Sequence, residues 1–259
     1  MLSRTLAGRI VATLSLLSVL YGTSSVVVAQ DKKDADTKST KASAKADPAA
    51  PAKNRKGGSS SQKDGWQPLF NGKDLSGWKV TNFGGEGEVY IEDGLVVITQ
   101  GVDLSGITST RKDLPKVNYE IEFEAQRAEG SDFFVGMTFP VGESACSLIC
   151  GGWGGGVCGL SSLDGMDASE NETTGYMAFT NGQWYKVRIR VTEDRIKAWL
   201  DKHELADVET KDRRIDVRFE VDLSKPMGFA TYQSTAKIRN ARLRRLPADD
   251  SKGGQKATK

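Results

Sequence analysis

A whole stretch of this 259-residue chain has no apolar side chains beyond alanine and proline. Between positions 31 and 64 there is no Val, Ile, Leu, Met, Phe, Tyr, Trp or Cys, and 9 Lys+Arg and 5 Asp+Glu stand among Ala, Ser, Pro and Gly. Such a segment buries too little apolar surface to offset its ordering entropy. Residues 30–64 are therefore read as a disordered Lys/Ala/Ser linker. Histidine is nearly absent too. The single His203 excludes a histidine-based metal cluster, and the chain has no Gly-x-Ser-x-Gly elbow to seat a serine nucleophile. His203 sits in the polar run Asp201-Lys202-His203-Glu204 and reads as an exposed turn residue. A sustained 3.6-residue apolar period is also missing, which excludes a helical bundle.

The one long apolar run lies at the start. Arg4 and Arg9 precede Ile10-Val11-Ala12 and the leucines that follow, no acid occurs before Asp31, and Val27-Val28-Ala29 supplies small residues for cleavage. That is the layout of a secretory signal peptide, so 1–29 is expected to be removed and the remainder secreted or periplasmic, with no stable membrane span after cleavage. A polar tail is expected at 248–259. The intervening 65–247 is the folding domain, a length suited to one core. It holds 22 basic and 27 acidic residues, a net charge of −5 against +2 for the whole chain. A basic nucleic-acid footprint is excluded for the folded part, and no nucleic-acid partner is expected.

Cysteine is limited to Cys146, Cys150 and Cys158, so at least one thiol is free or pairs between molecules. Cys146 and Cys150 would share one strand face at ~13 Å, given ~3.3 Å per residue. That is beyond disulfide reach. Cys150 and Cys158 flank a glycine-rich turn and face each other across a hairpin. They are read either as a bridge or as reduced, buried thiols beside Cys146.

What the chain does have is alternation. Tyr119-Glu120-Ile121-Glu122-Phe123-Glu124-Ala125 and Tyr185-Lys186-Val187-Arg188-Ile189-Arg190-Val191 are half-buried strands by their period of two. Residues 95–99, 133–139, 195–200, 214–221, 227–232 and 236–243 read as further strands. Turn signals such as Asp93-Gly94, Asn181-Gly182 and Lys225-Pro226 separate them. Glycine is rich in the core, 22 of its 183 residues. Short strands and glycine-rich turns specify an all-β sandwich or barrel.

Several groups carry possible chemistry. Gly154-x-Gly156-x-x-Gly159 matches a dinucleotide fingerprint in form, but no helix follows to hold a pyrophosphate, so it reads as a tight hairpin. Trp153 at its tip is either a sugar-stacking indole or a buried anchor. Glu120, Glu122 and Glu124 share one sheet face at ~6.7 Å spacing. That is wider than the ~5–5.5 Å of a retaining glycosidase pair, so they read as a solvated face paired with Arg188 and Arg190. Asp164, Asp167, Glu170, Asn171 and Glu172 crowd one loop. Oxygen-rich loops suit Ca²⁺, yet the spacing is not that of an EF-hand, and the loop is read as solvated with no cofactor firmly implied. Asn171-Glu172-Thr173 is a formal glycosylation sequon.

The opening Trp66-Gln67-Pro68-Leu69-Phe70-Asn71-Gly72-Lys73-Asp74-Leu75-Ser76-Gly77-Trp78 resembles the signature of the 3-keto-disaccharide hydrolase-like family. Glu92-Asp93-Gly94, the 119–124 strand, Asp132-Phe133-Phe134, Trp184-Tyr185-Lys186-Val187, Trp199-Leu200-Asp201 and Ile238-Arg239-Asn240-Ala241-Arg242-Leu243 agree in order. The resemblance implies a concanavalin-like jelly-roll β-sandwich of two antiparallel sheets, one of them concave. It also implies hydrolysis or elimination on glycosides oxidised at the third sugar carbon, with a carbohydrate as ligand. The departures cluster where the chemistry belongs. A family strand of the form Tyr-Glu-x-Gln-x-x-Asp is Ser144-Ala145-Cys146-Ser147-Leu148-Ile149-Cys150 here, a family histidine is Ala198, and an Asn-Gly pair is Asp201-Lys202. Two readings follow: a divergent enzyme, or a glycan- or wall-binding module that has lost the acidic strand. The catalytic candidates are Glu143, Asp164 and Asp167. Trp153, Glu120 and Glu124 are the candidates for binding sugar. Residues 142–175, the least strand-like part of the core, are expected to form a rim over the concave sheet with Trp153 exposed.

Limited proteolysis of the exported chain is expected to cut first within 31–64 and leave a resistant fragment starting near Gly65. First cleavage inside 119–139 would refute that boundary.

Overall fold

A computed structural model describes residues 65–248. The expected signal segment, linker and most of the tail lie outside the described residues. In chain order the strands are β1 (Gln67–Pro68), β2 (Trp78–Val80), β3 (Val89–Glu92), β4 (Leu95–Ile98) and β5 (Leu104–Ser109). Then come β6 (Tyr119–Gly130), β7 (Val135–Val141), β8 (Ser144–Gly152), β9 (Val157–Ser161) and β10 (Gly175–Tyr176). The last five are β11 (Tyr185–Val191), β12 (Arg195–Leu200), β13 (His203–Glu209), β14 (Gly228–Tyr232) and β15 (Ser234–Arg245). One sheet has the order β13-β12-β11-β6-β15-β4-β3, with β1 on β15; the other runs β10-β9-β8-β7-β14-β5-β2. All ladders are antiparallel. The fold is the expected all-β sandwich of two antiparallel sheets.

The core forms because alternate residues of both sheets face inward. Tyr119, Ile121, Phe123 and Ala125 of β6 meet Met137 and Phe139 of β7, Cys146, Leu148 and Cys150 of β8, and Phe229 of β14. Phe229 lies edge-on to Phe123, with ring centroids 5.1 Å apart. Full burial of a side chain of this size contributes roughly 1.5–3 kcal/mol relative to exposure. The Tyr119 hydroxyl crosses between the sheets and donates to the Pro140 carbonyl at 2.5 Å. Trp78 is tied in the same way, its Nε1 donating to the Leu69 carbonyl at 2.9 Å. This anchors both ends of the opening motif.

The outward face of β6 departs from the solvated face expected of it. Glu120 is fully buried, its two oxygens taken by Arg190 on β11 and Arg244 on β15, each at 2.7 Å. Glu122 is held by Arg242 and Lys186, and Glu124 by Arg239 and Asn240. Arg188 makes no ion pair among the described residues; it stacks on Trp199 across the ladder, 3.9 Å from the ring centroid. Burial pushes the Glu122 and Glu124 carboxyls upward, but their hydrogen bonds to the flanking cations outweigh it and hold both below the usual carboxylate range.

Two segments differ from their expected structure. Residues 214–221 form no strand: Ser162 and Asp216 exchange backbone hydrogen bonds, and a 3₁₀ turn follows at Phe219–Ser224. The buried pair there, Val217 before that turn and Val221 within it, packs on Ala145. Conversely, 142–175 is not poor in strand, because β8 and β9 fill much of it. Small residues obscured their alternation. Cys150 and Cys158 are in direct register across β8 and β9, and all three cysteines are free and buried. Burial pushes the Cys146 thiol up to about 12.

Glu120→Ala leaves Arg190 and Arg244 without their shared carboxylate. Because both arginines are partly solvated, a loss of about 1–3 kcal/mol in unfolding free energy is expected, measured by urea denaturation. A change within about 0.5 kcal/mol would show that the buried carboxylate does not stabilise the sheet.

Candidate active site on the second sheet

One face of each sheet is spent on the core, so a ligand meets the protein only on an outer face or at the loops. The outer face of the β7–β8–β9 sheet is floored by small residues, among them Gly136 and Thr138 of β7, Ala145 and Ser147 of β8, and Ser161 of β9. A cavity of about 640 Å³ opens over this floor. Ser147, Ile149 and Ser161 line its base; Val221 and Arg218 of the 213–225 crossing segment close one side. Aromatic rings of Phe83, Phe133, Trp153 and Tyr232 form the walls, and Asp103, Asp132 and Glu220 supply carboxylates. Phe133 lies against Gly136 so closely that a Cβ there would stand 2.8 Å from the ring. Glycine at 136 is what lets the ring lie flat beside Tyr232, 6.0 Å away by centroids.

Trp153 occupies the tip of the β8–β9 hairpin, in the left-handed region at φ 49°. Its exposure, 45%, decides between the two sequence readings: the indole is not a core anchor. The tip is held in place by Asp132, whose Oδ2 accepts the Gly154 N–H at 2.8 Å while Oδ1 accepts that of Phe133 at 2.7 Å. Gly155 is required beside it, since a Cβ would sit 2.4 Å from the Ser131 carbonyl oxygen. Arg218 faces the indole at 6.0 Å and pairs with both Glu220 and Asp167.

The sequence candidates are not brought together. Glu143 stands at the β7–β8 turn, its side chain 88% exposed and paired with Lys116. Asp164 accepts the Arg214 N–H at 2.8 Å and is salt-bridged to Arg213, which together hold its carboxyl below the usual range. Asp167 accepts from Ser169 and reaches the cavity only through Arg218. Glu120 and Glu124 lie on the outer face of the other sheet. Both oxygens of Glu120 are consumed by arginines, which leaves neither for a sugar. A depression of about 470 Å³ exists there beside Trp66, but Glu122 and Glu124 within it are neutralised by Lys186, Arg239 and Arg242. The 164–172 acids diverge onto Arg213 and Arg218, and among the described residues no three His, Cys, Asp or Glu side chains converge as metal ligands would. Asn171 of the sequon is buried, its Nδ2 donating to the Leu160 carbonyl at 2.8 Å.

Sequence reasoning missed Asp103 and Tyr232. Tyr232 ends β14 beside Asp103, whose negative charge, with that of Asp132, raises the phenol above its ordinary pKa and keeps it protonated. Asp103 accepts a long hydrogen bond from Gln233, 3.3 Å, and no salt bridge to it occurs among the described residues. The only signal for this corner was the Asp132-Phe133-Phe134 block. Asp103 and Tyr232 are 129 positions apart in the chain and meet only because β5 pairs with β14.

The profile of the 3-keto-alpha-glucoside-1,2-lyase-like domain matches residues 65–244. The chain belongs to this family. No curated protein matches the chain. Among solved structures, the lyase-like domain is similar to a carbohydrate-binding module from Bacillus subtilis at 15% identity, covering 65% of this chain and 95% of that one with a TM-score of 0.45. It is also similar to domain 4 of an extracellular arabinanase from Geobacillus stearothermophilus, solved with arabinotriose: 14% identity, 67% of this chain, 85% of that chain, TM-score 0.43. In the lyase-like domain the positions where the family resemblance places Glu and Gln are Ala145 and Ser147, facing outward on β8. Ala198, in place of the family histidine, is buried in the core and lies away from the cavity.

Trp153→Ala is expected to abolish measurable glycan binding in a calorimetric titration while the melting temperature stays within about 2 °C, as for an exposed side chain. A fall of many degrees would mean the indole supports the core instead.

Proposed function

We propose that this chain is an exported carbohydrate-active protein that takes a 3-keto glycoside in the cavity over β7–β9 and eliminates its aglycone. The observation that carries this reading is a cavity walled by aromatic rings and carboxylates on the outer face of a domain matched to the lyase-like family across 65–244. Aromatic walls suit the apolar faces of sugar rings. Three carboxylates against one guanidinium make the cavity suited to neutral sugars over acidic ones.

A ketone at the third sugar carbon acidifies the proton on the second. A base removes that proton, the electron pair forms a double bond between the first and second carbons, and the bond from the first carbon to the aglycone oxygen breaks. The departing oxygen takes a proton from an acid. Asp103 is the base in this scheme, as the cavity carboxylate that is neither salt-bridged, as Glu220 is, nor committed to backbone N–H groups, as Asp132 is. Tyr232, held protonated, is the acid. Asp132 and Arg218 are positioning residues, since their polar atoms are committed to the hairpin tip and to Glu220 and Asp167.

One observation favours a second reading, binding without turnover: β8 carries Ala145 and Ser147 where the family resemblance places Glu and Gln, and of the two only Ser147 lines the cavity. A panel of 3-keto α-glucosides separates the two. Release of aglycone by wild type, reduced at least about 100-fold in Asp103→Asn, is the expected result. Saturable binding with no release would establish the binding module, and neither binding nor release would refute both.

A further inference from the structure

Three hydroxyl side chains lie in a row across neighbouring strands of the cavity floor. Thr138 on β7 is opposite Ser147 on β8, and Ser147 is opposite Ser161 on β9. The first two satisfy each other, Oγ1 to Oγ at 2.9 Å. The third does not. Ser161 Oγ is buried and has no hydrogen-bond partner among the described residues, although the residue lines the cavity. A buried hydroxyl that has left water without a partner destabilises the fold, so such a group calls for a physical account.

We infer that Ser161 is the floor contact of the sugar: its hydroxyl hydrogen-bonds an oxygen on the ring edge directed at the sheet. The inference rests on reading this cavity as the sugar site. A hydroxyl both donates and accepts, so it fits either a ring hydroxyl or the ketone oxygen of an oxidised sugar. The surroundings leave it few other partners. Its cross-strand neighbour is Ser147, already engaged with Thr138, and the apolar Ile149 and Val221 line the same cavity. The aromatic walls grip the faces of the ring, and Ser161 then sets how deep the ring sits and which oxygen points down. Ser224 and Thr231 also carry buried hydroxyls without partners, yet neither lines the cavity. They provide internal controls for the cost of an unpaired hydroxyl without a ligand.

The test uses a 3-keto α-C-glucoside, whose carbon–carbon linkage the proposed elimination cannot cleave, titrated by calorimetry into full-length mature protein. Wild type, Ser161→Ala, Ser224→Ala and Trp153→Ala are compared, each with its melting temperature. Loss of one hydrogen bond to the ligand predicts about two- to tenfold weaker binding for Ser161→Ala. Its melting temperature is expected to hold or rise by a few degrees, because an unpaired buried hydroxyl has been removed. Ser224→Ala is expected to show the same thermal behaviour with unchanged affinity. Unchanged affinity in Ser161→Ala, alongside binding by wild type and its loss in Trp153→Ala, would overturn this inference and leave the cavity reading intact. A clear fall in the melting temperature of Ser161→Ala would also overturn it, since the hydroxyl would then be structural. Equal weakening in Ser224→Ala would do so as well, by showing that the effect is not local. Absence of binding by wild type would remove the cavity reading and this inference together.

Discussion

A carboxylate taken out of water must be met by opposite charge, and Glu120 imposes that requirement on the centre of the first sheet. It stands on β6 between two neighbouring strands, and each neighbour answers it with an arginine, Arg190 from β11 and Arg244 from β15. The inward neighbours of Glu120 on the same strand, Tyr119 and Ile121, are part of the core. A one-residue slip of β6 would therefore bury Glu120 between the sheets and turn the core residues outward, an error penalised on both faces at once. With the register of β6 pinned, Tyr119 carries the constraint to the opposite sheet through its bond to the Pro140 carbonyl. The order of β7, β8 and β9, and with it the floor of the cavity, is built out from there.

The second sheet solves a different problem. Its outer face holds a cavity over a regular sheet, floored by small residues. Ser147 and Ser161 leave space above the floor, and bulk enters from the edges: Phe133 from the β6–β7 connection, where it covers Gly136, Tyr232 from the end of β14, and Val221 from the crossing segment, where it packs on Ala145. The hairpin tip bearing Trp153 is tethered by Asp132 and not by packing, so the indole is fixed in position yet exposed. Aromatic groups on loops above a regular sheet are a common arrangement for recognition, because the scaffold holds what the loops present.

The contrast between the two outer faces explains why carboxylates alone were a poor guide to the site. On the first sheet Glu120, Glu122 and Glu124 of β6 each have a cation within hydrogen-bond distance, and the charges cancel each other. Around the second cavity, Glu220 is paired with Arg218 and Asp132 accepts two backbone N–H groups, while Asp103 has no salt bridge among the described residues and is hydrogen-bonded by Gln233 and Tyr232. What distinguishes a reactive acid from a structural one is its neighbours, which arrive from distant parts of the chain.

Alternation in 119–125 and 185–191 was sufficient to specify half-buried strands, because a period of two commits every second side chain to the core whatever the partner strand is. The opening Trp66–Trp78 motif and the blocks that follow it were sufficient to indicate the family and hence the sandwich. The strands β8 and β9 were hidden, since Cys, Ser, Gly and Ala carry little hydrophobic contrast between their two faces. The 214–221 strand was expected wrongly, because Val217 and Val221, four positions apart, share a face in a strand and in a helical turn alike, so their pattern does not choose between the two. Glu143, Asp164 and Asp167 looked alike in the sequence as acids near Trp153, yet Lys116, Arg213 and Arg218 claim them from other segments. Where apolar and polar residues contrast, as in 119–125 and 185–191, local pattern determined the strand and its buried face, because both follow from neighbours one or two positions away. Tertiary structure alone decided which carboxylates are neutralised by cations and which hydroxyl lacks a partner, because those properties depend on groups brought in by other strands and loops.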